Sequence, residues 1–225
     1  MKNAYHEMGS LARRLFQNSF LWPPLRAAKD VLDGVLWCLT GNPIPPPPII
    51  KRRLVTRTGA LYGCRTLVET GTFLGDMAFA QRHKYFQIIS IELQPELFTR
   101  ATARLKRYPN IQILEGDSST VLPAILETLP GPVLFWLDAH YSGGITAKGP
   151  LETPIHAELS TILSQSNLHR VILIDDARCF DGSSDYPTLN QLRHQVSQHP
   201  EFEMTVAEDI IRILPRTPPA TMPGN

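Results

Sequence analysis

From Thr66 onward, short apolar runs alternate with longer amphipathic stretches. Residues 66–69, 87–91, 111–114, 133–137 and 171–174 are brief, apolar and rich in β-branched side chains, which predicts strands. Residues 73–84, 95–107, 119–129, 152–165 and 187–198 between them repeat their apolar positions at helical spacing, and the second opens on a proline. Residues 202–206 and 210–214 can pair as a closing hairpin across Ala207-Glu208-Asp209. The strands are continuously apolar rather than alternating, so the pattern predicts a mostly parallel sheet covered on both faces. Right-handed crossovers then make it an α/β, doubly wound sheet.

The pattern upstream differs. Residues 9–22 set Leu11, Leu15, Phe16 and Phe20 at helical spacing, with Arg13 and Arg14 on another face, until Pro23-Pro24 interrupts. A second helix is expected over 25–39, with apolar Val31, Leu32, Val35, Leu36 and Leu39, stopped by Gly41-Asn42-Pro43. Pro45-Pro46-Pro47-Pro48 favours a stiff polyproline II spacer. Composition marks the same divisions. Of 20 prolines, seven lie in 1–48 and four in 215–223, which leaves nine in 49–214. The expected organisation is therefore a helical leader and linker over 1–50, a packed domain over 51–214, and a disordered tail over 215–225.

Charge sharpens the contrast. The formal total is only +1, but residues 1–58 hold nine Lys/Arg against three Asp/Glu, and residues 59–225 hold thirteen against eighteen. A basic arm precedes an acidic body, which argues against a nucleic-acid partner. The arm can be a solvated leader, a cover packed on the domain, or a peripheral contact with an anionic membrane through residues 9–40. Cys38, Cys64 and Cys179 are odd in number and widely spaced, which suggests reduced thiols and a cytoplasmic setting. No apolar run reaches the roughly 18–20 residues of a membrane span, and the N-terminus lacks a signal-peptide pattern.

Ligands of doubly wound sheets bind outside the carboxyl ends of the strands, and this chain places its chemistry there. The first strand leads into Glu69-Thr70-Gly71-Thr72-Phe73-Leu74-Gly75, a turn whose glycines permit close backbone approach. Its GxxxG spacing is not the GxGxxG of nicotinamide-cofactor proteins. Glu92 ends the second strand, where an acid can accept both hydroxyls of a ribose. Glu115-Gly116-Asp117-Ser118 follows the third, Asp138-Ala139-His140-Tyr141 the fourth, and Asp175-Asp176 the fifth. In this order the residues resemble the class I S-adenosylmethionine-dependent methyltransferases over about residues 60–214. The resemblance implies a seven-stranded Rossmann-like sheet with its last strand antiparallel. It also implies that Glu69, Thr70, Gly71 and Gly75 surround the methionine moiety, that Glu92 holds the ribose, and that Asp117 or Ser118 holds the adenine. Asp138 would border the same cofactor.

Asp138, Asp175 and Asp176 form a second constellation. Like charges in one cleft need a cation or protonation, and an all-oxygen set suits magnesium. This pattern is similar to the metal-dependent O-methyltransferases of the catechol and macrocin types. The alternative is a hydrogen-bonded Asp138 beside solvated Asp175-Asp176. Residues 141–150 depart from those families with a glycine-rich insert, a candidate lid that carries Lys148. His140 and Lys148 are candidate proton acceptors beside Asp138. The expected activity is methylation of a sugar, polyol or phenolic hydroxyl of a small molecule. The competing readings are a dinucleotide-binding oxidoreductase and a non-catalytic adaptor that keeps the fold.

Overall fold

The computed structural model describes residues 22–129, 131–139, 153–165, 169–183 and 185–217. The chain divides into two compact units, residues 1–51 and 52–225. In the first, helix α1 runs Trp22–Leu39, which takes in the helix expected from residue 25. Its apolar positions Val31, Leu32, Val35, Leu36 and Leu39 are all exposed. Gly41 and Asn42 turn left-handed at its end, and the Trp37 indole donates to the Pro43 carbonyl at 2.7 Å. The helix expected over 9–22 lies outside the described residues, apart from Trp22 at its end. Among the described residues, no helix is long and apolar enough to cross a membrane.

Helix α2, Pro48–Leu61, was not anticipated from the sequence. The proline run was read as a spacer, but its last member starts a helix, where proline's fixed φ and missing N–H are tolerated. The apolar positions that follow make no clean stripe, because Lys51, Arg52, Arg53, Thr56 and Arg57 interleave with them. Tertiary packing fixes the helix instead. Tyr85 donates its hydroxyl to the Val55 carbonyl at 2.8 Å, and a Cβ on Gly59 would meet that hydroxyl at 2.1 Å.

The second unit is a seven-stranded sheet. Its elements are β1 Thr66–Thr70, α3 Asp76–Gln81, β2 Gln87–Glu92, α4 Pro95–Leu105, β3 Ile111–Glu115, α5 Ser118–Leu126, β4 Val133–Leu137, α6 Ile155–Leu163, β5 Arg170–Ile174, α7 Leu189–Ser197, β6 Phe202–Ala207 and β7 Ile210–Pro215. The strand order is β3-β2-β1-β4-β5-β7-β6. β1 to β5 pair in parallel, and β7 runs antiparallel to both β5 and β6. Every residue of β1, β4 and β5 is buried, as continuously apolar strands require. The period of two sorts their side chains. Val68, Phe135 and Ile172 pack under α5, α6 and α7. Leu67, Leu134, Trp136, Val171 and Leu173 pack on the other face with Val55, Ala78 and Leu105. The carboxyl ends of the five parallel strands thus present their loops along one edge of a core covered on both faces.

Candidate active site

The turn after β1 is fixed by close backbone approach. Gly71 has φ 84°, and a Cβ there would lie 2.5 Å from the Asp138 carbonyl oxygen. Gly71 and Thr72 donate their amides to the Ile91 carbonyl, and Asp138 donates to the Thr70 carbonyl at 3.0 Å. The turns after β1 and β4 are therefore in direct backbone contact. Gly75, φ 74°, caps α3 left-handed, and a Cβ there would meet Leu105 at 2.7 Å.

Glu69 shares a face with Leu67 by the strand period. It is 2% exposed and sits level with Ser90 on β2 and Trp136 on β4. Ser90 donates its hydroxyl to Glu69 Oε2 at 2.6 Å, and Thr72 Oγ1 lies 2.6 Å from Ser90 Oγ. Burial raises the Glu69 pKa to about 8, with the nearby carboxylates adding to the rise and the Ser90 bond opposing it. Glu92 is also buried. Its Oε2 accepts from the Phe73 amide at 2.6 Å and its Oε1 from the Gln94 amide at 2.9 Å. Burial raises its pKa, and these backbone bonds pull the other way. Each oxygen keeps a second lone pair for a ligand hydroxyl. Asp117 caps α5, accepting from the Ser119 amide at 2.9 Å and its hydroxyl at 2.7 Å, while Ser118 is buried beside it.

Two catalytic candidates, His140 and Lys148, lie outside the described residues. The third, Asp138, lines a cleft between the ends of β4 and β5 with Thr153, Glu158, Asp175, Phe180 and Tyr186. Phe180 and Tyr186 meet edge to face, their centroids 5.2 Å apart. Burial raises the Tyr186 hydroxyl well above its ordinary pKa.

Sequence reasoning missed Glu158. It lies on α6, three residues after Ile155 and beside Leu159, on the face that packs into the core. A lone carboxylate on an apolar helical stripe was the available signal. It is 1% exposed, and burial raises its pKa to about 7, with Asp117 and Asp138 adding to the rise. Hydrogen bonding to the Ser118 and Thr70 hydroxyls opposes that rise, but the Thr70 hydroxyl is too poorly aligned to satisfy either itself or Glu158 Oε1, and both atoms are buried without a well-formed hydrogen bond.

The proposed metal constellation takes a different form. Asp175 is buried and accepts the Asp176 amide at 2.8 Å. Asp176 turns left-handed, φ 55°, and its carboxylate pairs with Arg178 at 2.8 Å. Arg178 also pairs with Asp209, whose other oxygen accepts the Arg178 amide at 2.8 Å. An internal guanidinium thus offsets the charge of Asp176 and of Asp209. Among the described residues, no group of three metal-ligating side chains is assembled. The sequence signal was incomplete, because Asp209 lies in the hairpin turn, far along the chain.

Neither the protein-family models nor the curated proteins match this sequence. Solved structures match its fold. An O-methyltransferase from Bacillus cereus in complex with SAH is 13% identical, with a TM-score of 0.56, covering 95% of this chain and 100% of that one. The SAH-bound methyltransferase PaMTH1 of Podospora anserina is 17% identical at TM-score 0.56, covering 89% and 97%. The O-methyltransferase TomG of Streptomyces achromogenes, solved with SAM, is 15% identical at TM-score 0.55, covering 83% and 88%. The chain has the class I methyltransferase fold that its strand-end residues implied.

Proposed function

We propose that this protein is an S-adenosylmethionine-dependent methyltransferase acting on a hydroxyl of a small molecule. The observation that carries this reading is the sign of the sheet edge. Glu69, Glu92, Asp117, Asp138, Glu158 and Asp175 stand around the strand ends, and the cleft lining contains no basic side chain among the described residues. Such an edge attracts a cationic ligand and repels the pyrophosphate of a dinucleotide. It therefore supports the sulfonium cofactor over the oxidoreductase alternative, which also lacks its GxGxxG turn. Buried carboxyls with raised pKa values cost stability and cluster at functional sites, which disfavours a purely scaffolding role.

When bound, S-adenosylmethionine supplies a methyl group activated as a leaving-group cation. The residues of this chain then have separable tasks. Glu92 is positioned to accept ribose hydroxyls through lone pairs that the Phe73 and Gln94 amides leave free. Gly71 lets the methionine moiety approach the backbone, with Glu69 and Thr70 beside it. Asp117, already held as a helix cap, and buried Ser118 border the adenine. The β4–β5 cleft, with the Phe180 and Tyr186 rings on one side, gives the acceptor an apolar wall and polar partners. Alignment of acceptor and methyl in this cleft is the main catalytic contribution, as expected for an in-line displacement. His140 or Lys148 remains the proposed proton acceptor of the loop. Magnesium activation draws no support from the Asp176–Arg178 pairing, so no step is assigned to a metal.

Isothermal titration of the full chain with S-adenosylmethionine tests this reading. Saturable one-site binding is expected, and Glu92→Ala should weaken it about tenfold or more. Absence of binding, with and without magnesium, would defeat the proposal.

A further inference from the structure

The β4–β5 cleft contains a group that the cofactor contacts above leave unused. Glu158 is almost fully buried, and its Oε1 has no partner. The groups facing it are Thr70 at the end of β1, Asp117 and Ser118 at the start of α5, and Asp138 after β4. Asp175 and Tyr186 complete the polar part of the cleft. Every charged member of this set is a carboxylate. An unpaired buried oxygen in a negative surrounding is costly on its own. It is complementary to a ligand that brings positive charge.

We propose that Glu158 is the charge partner of the cofactor's sulfonium, so that the site distinguishes charged S-adenosylmethionine from neutral S-adenosylhomocysteine. This inference rests on the cofactor reading above. The cofactor also carries an ammonium group, but the reaction itself favours the sulfonium. The methyl must face the acceptor, the acceptor's space is the β4–β5 cleft, and Glu158 lines that cleft. Glu69, by contrast, stands on the opposite face of β1, bonded to Ser90.

The proton balance of the reaction fits the same assignment. An acceptor oxygen lone pair forms the new C–O bond while the C–S pair withdraws to sulfur. The positive charge disappears, and the acceptor hydroxyl must lose its proton. Burial leaves Glu158 with a pKa of about 7 when no cation is present. Its carboxylate is therefore ionised beside the sulfonium and can be reprotonated once the charge has gone. The proton then returns to water when the product leaves.

The test is calorimetric and needs no acceptor. The full chain and its Glu158→Gln variant are titrated at pH 7 with S-adenosylmethionine and with S-adenosylhomocysteine, in two buffers of different ionisation enthalpy. The variant should lose about tenfold or more of the preference for S-adenosylmethionine while its affinity for S-adenosylhomocysteine changes less than about twofold. The wild-type chain should release roughly half a proton more on binding S-adenosylmethionine, and the variant should show no such difference. Equal weakening of both ligands would place Glu158 on a group they share and overturn the assignment, as would an unchanged ratio. If the variant does not fold, equal proton release by the wild-type chain with the two ligands overturns it instead. Failure of S-adenosylmethionine to bind the wild-type chain would overturn the cofactor reading itself.

Discussion

Replacing Glu69 with glutamine should make the protein more stable, and increasingly so as the pH rises. The carboxyl is 2% exposed, and its pKa climbs from an ordinary 4.5 to about 8, chiefly through burial. A folded pKa above the unfolded one means that the native state holds its proton more tightly. The stability associated with that proton is complete below about 4.5 and drains away until the native carboxyl itself ionises near 8. At about 1.4 kcal/mol per pH unit, the cost is about 2 kcal/mol at pH 6, about 3 at pH 7, and nearly 5 above pH 9. Glutamine occupies the same space, its carbonyl accepts the Ser90 hydroxyl, and it does not titrate. The stability difference between variant and wild type should therefore follow that curve. Urea unfolding of both proteins at pH 5, 6, 7 and 9, followed by tryptophan fluorescence, measures it, and other titrating groups cancel in the difference. At pH 7 the expected gain corresponds to a rise in Tm of about 6–12 °C. Parallel stability curves, with a difference that does not grow with pH, would refute the reasoning.

Two further substitutions probe the backbone contact and the ion pairs. Gly71→Ala places a Cβ 2.5 Å from the Asp138 carbonyl at φ 84°; a loss of about 2–4 kcal/mol is expected in chemical denaturation, together with loss of cofactor binding, because the β1 and β4 turns must separate. Arg178→Met strips the cation from Asp176 and from Asp209, whose side chain is 1% exposed. Breaking such a pair should cost about 3 kcal/mol, read as a lower midpoint in urea unfolding.

The sheet was legible because its strands are short, apolar and separated by well-marked turns. The order of acids at their ends was equally visible, since Glu69, Glu92, Asp117 and Asp138 each stand at or just beyond the carboxyl end of a strand. What escaped detection depended on three-dimensional packing. Helix α2 has no periodic stripe, and it is held by Tyr85 rather than by its own pattern. Glu158 sits in the first turn of α6, where an acid usually serves the exposed helix start, and only the fold reveals that its side chain is buried. The carboxylates of β5 looked like metal ligands because adjacent aspartates need a cation. The pairing of Asp176 with Arg178, itself held by Asp209, was not visible, because periodicity places neither residue in the site. The basic residues of the leader suggested an anionic partner, and the exposed apolar face of α1 leaves that expectation open to liposome flotation of the full chain.

The position of Asp209 also bears on how the protein is made. Glu208 and Asp209, both at positive φ, form the tight turn between β6 and β7. From there Asp209 accepts the amides of Ala177 and Arg178 and pairs with the Arg178 side chain. The loop after β5 therefore cannot reach its final shape until nearly the last strand has left the ribosome. A nascent chain stalled before residue 209 can build most of its parallel sheet, but it leaves Asp175, Asp176 and Arg178 without their anchor. The cleft can therefore mature only after the β6–β7 turn has been made.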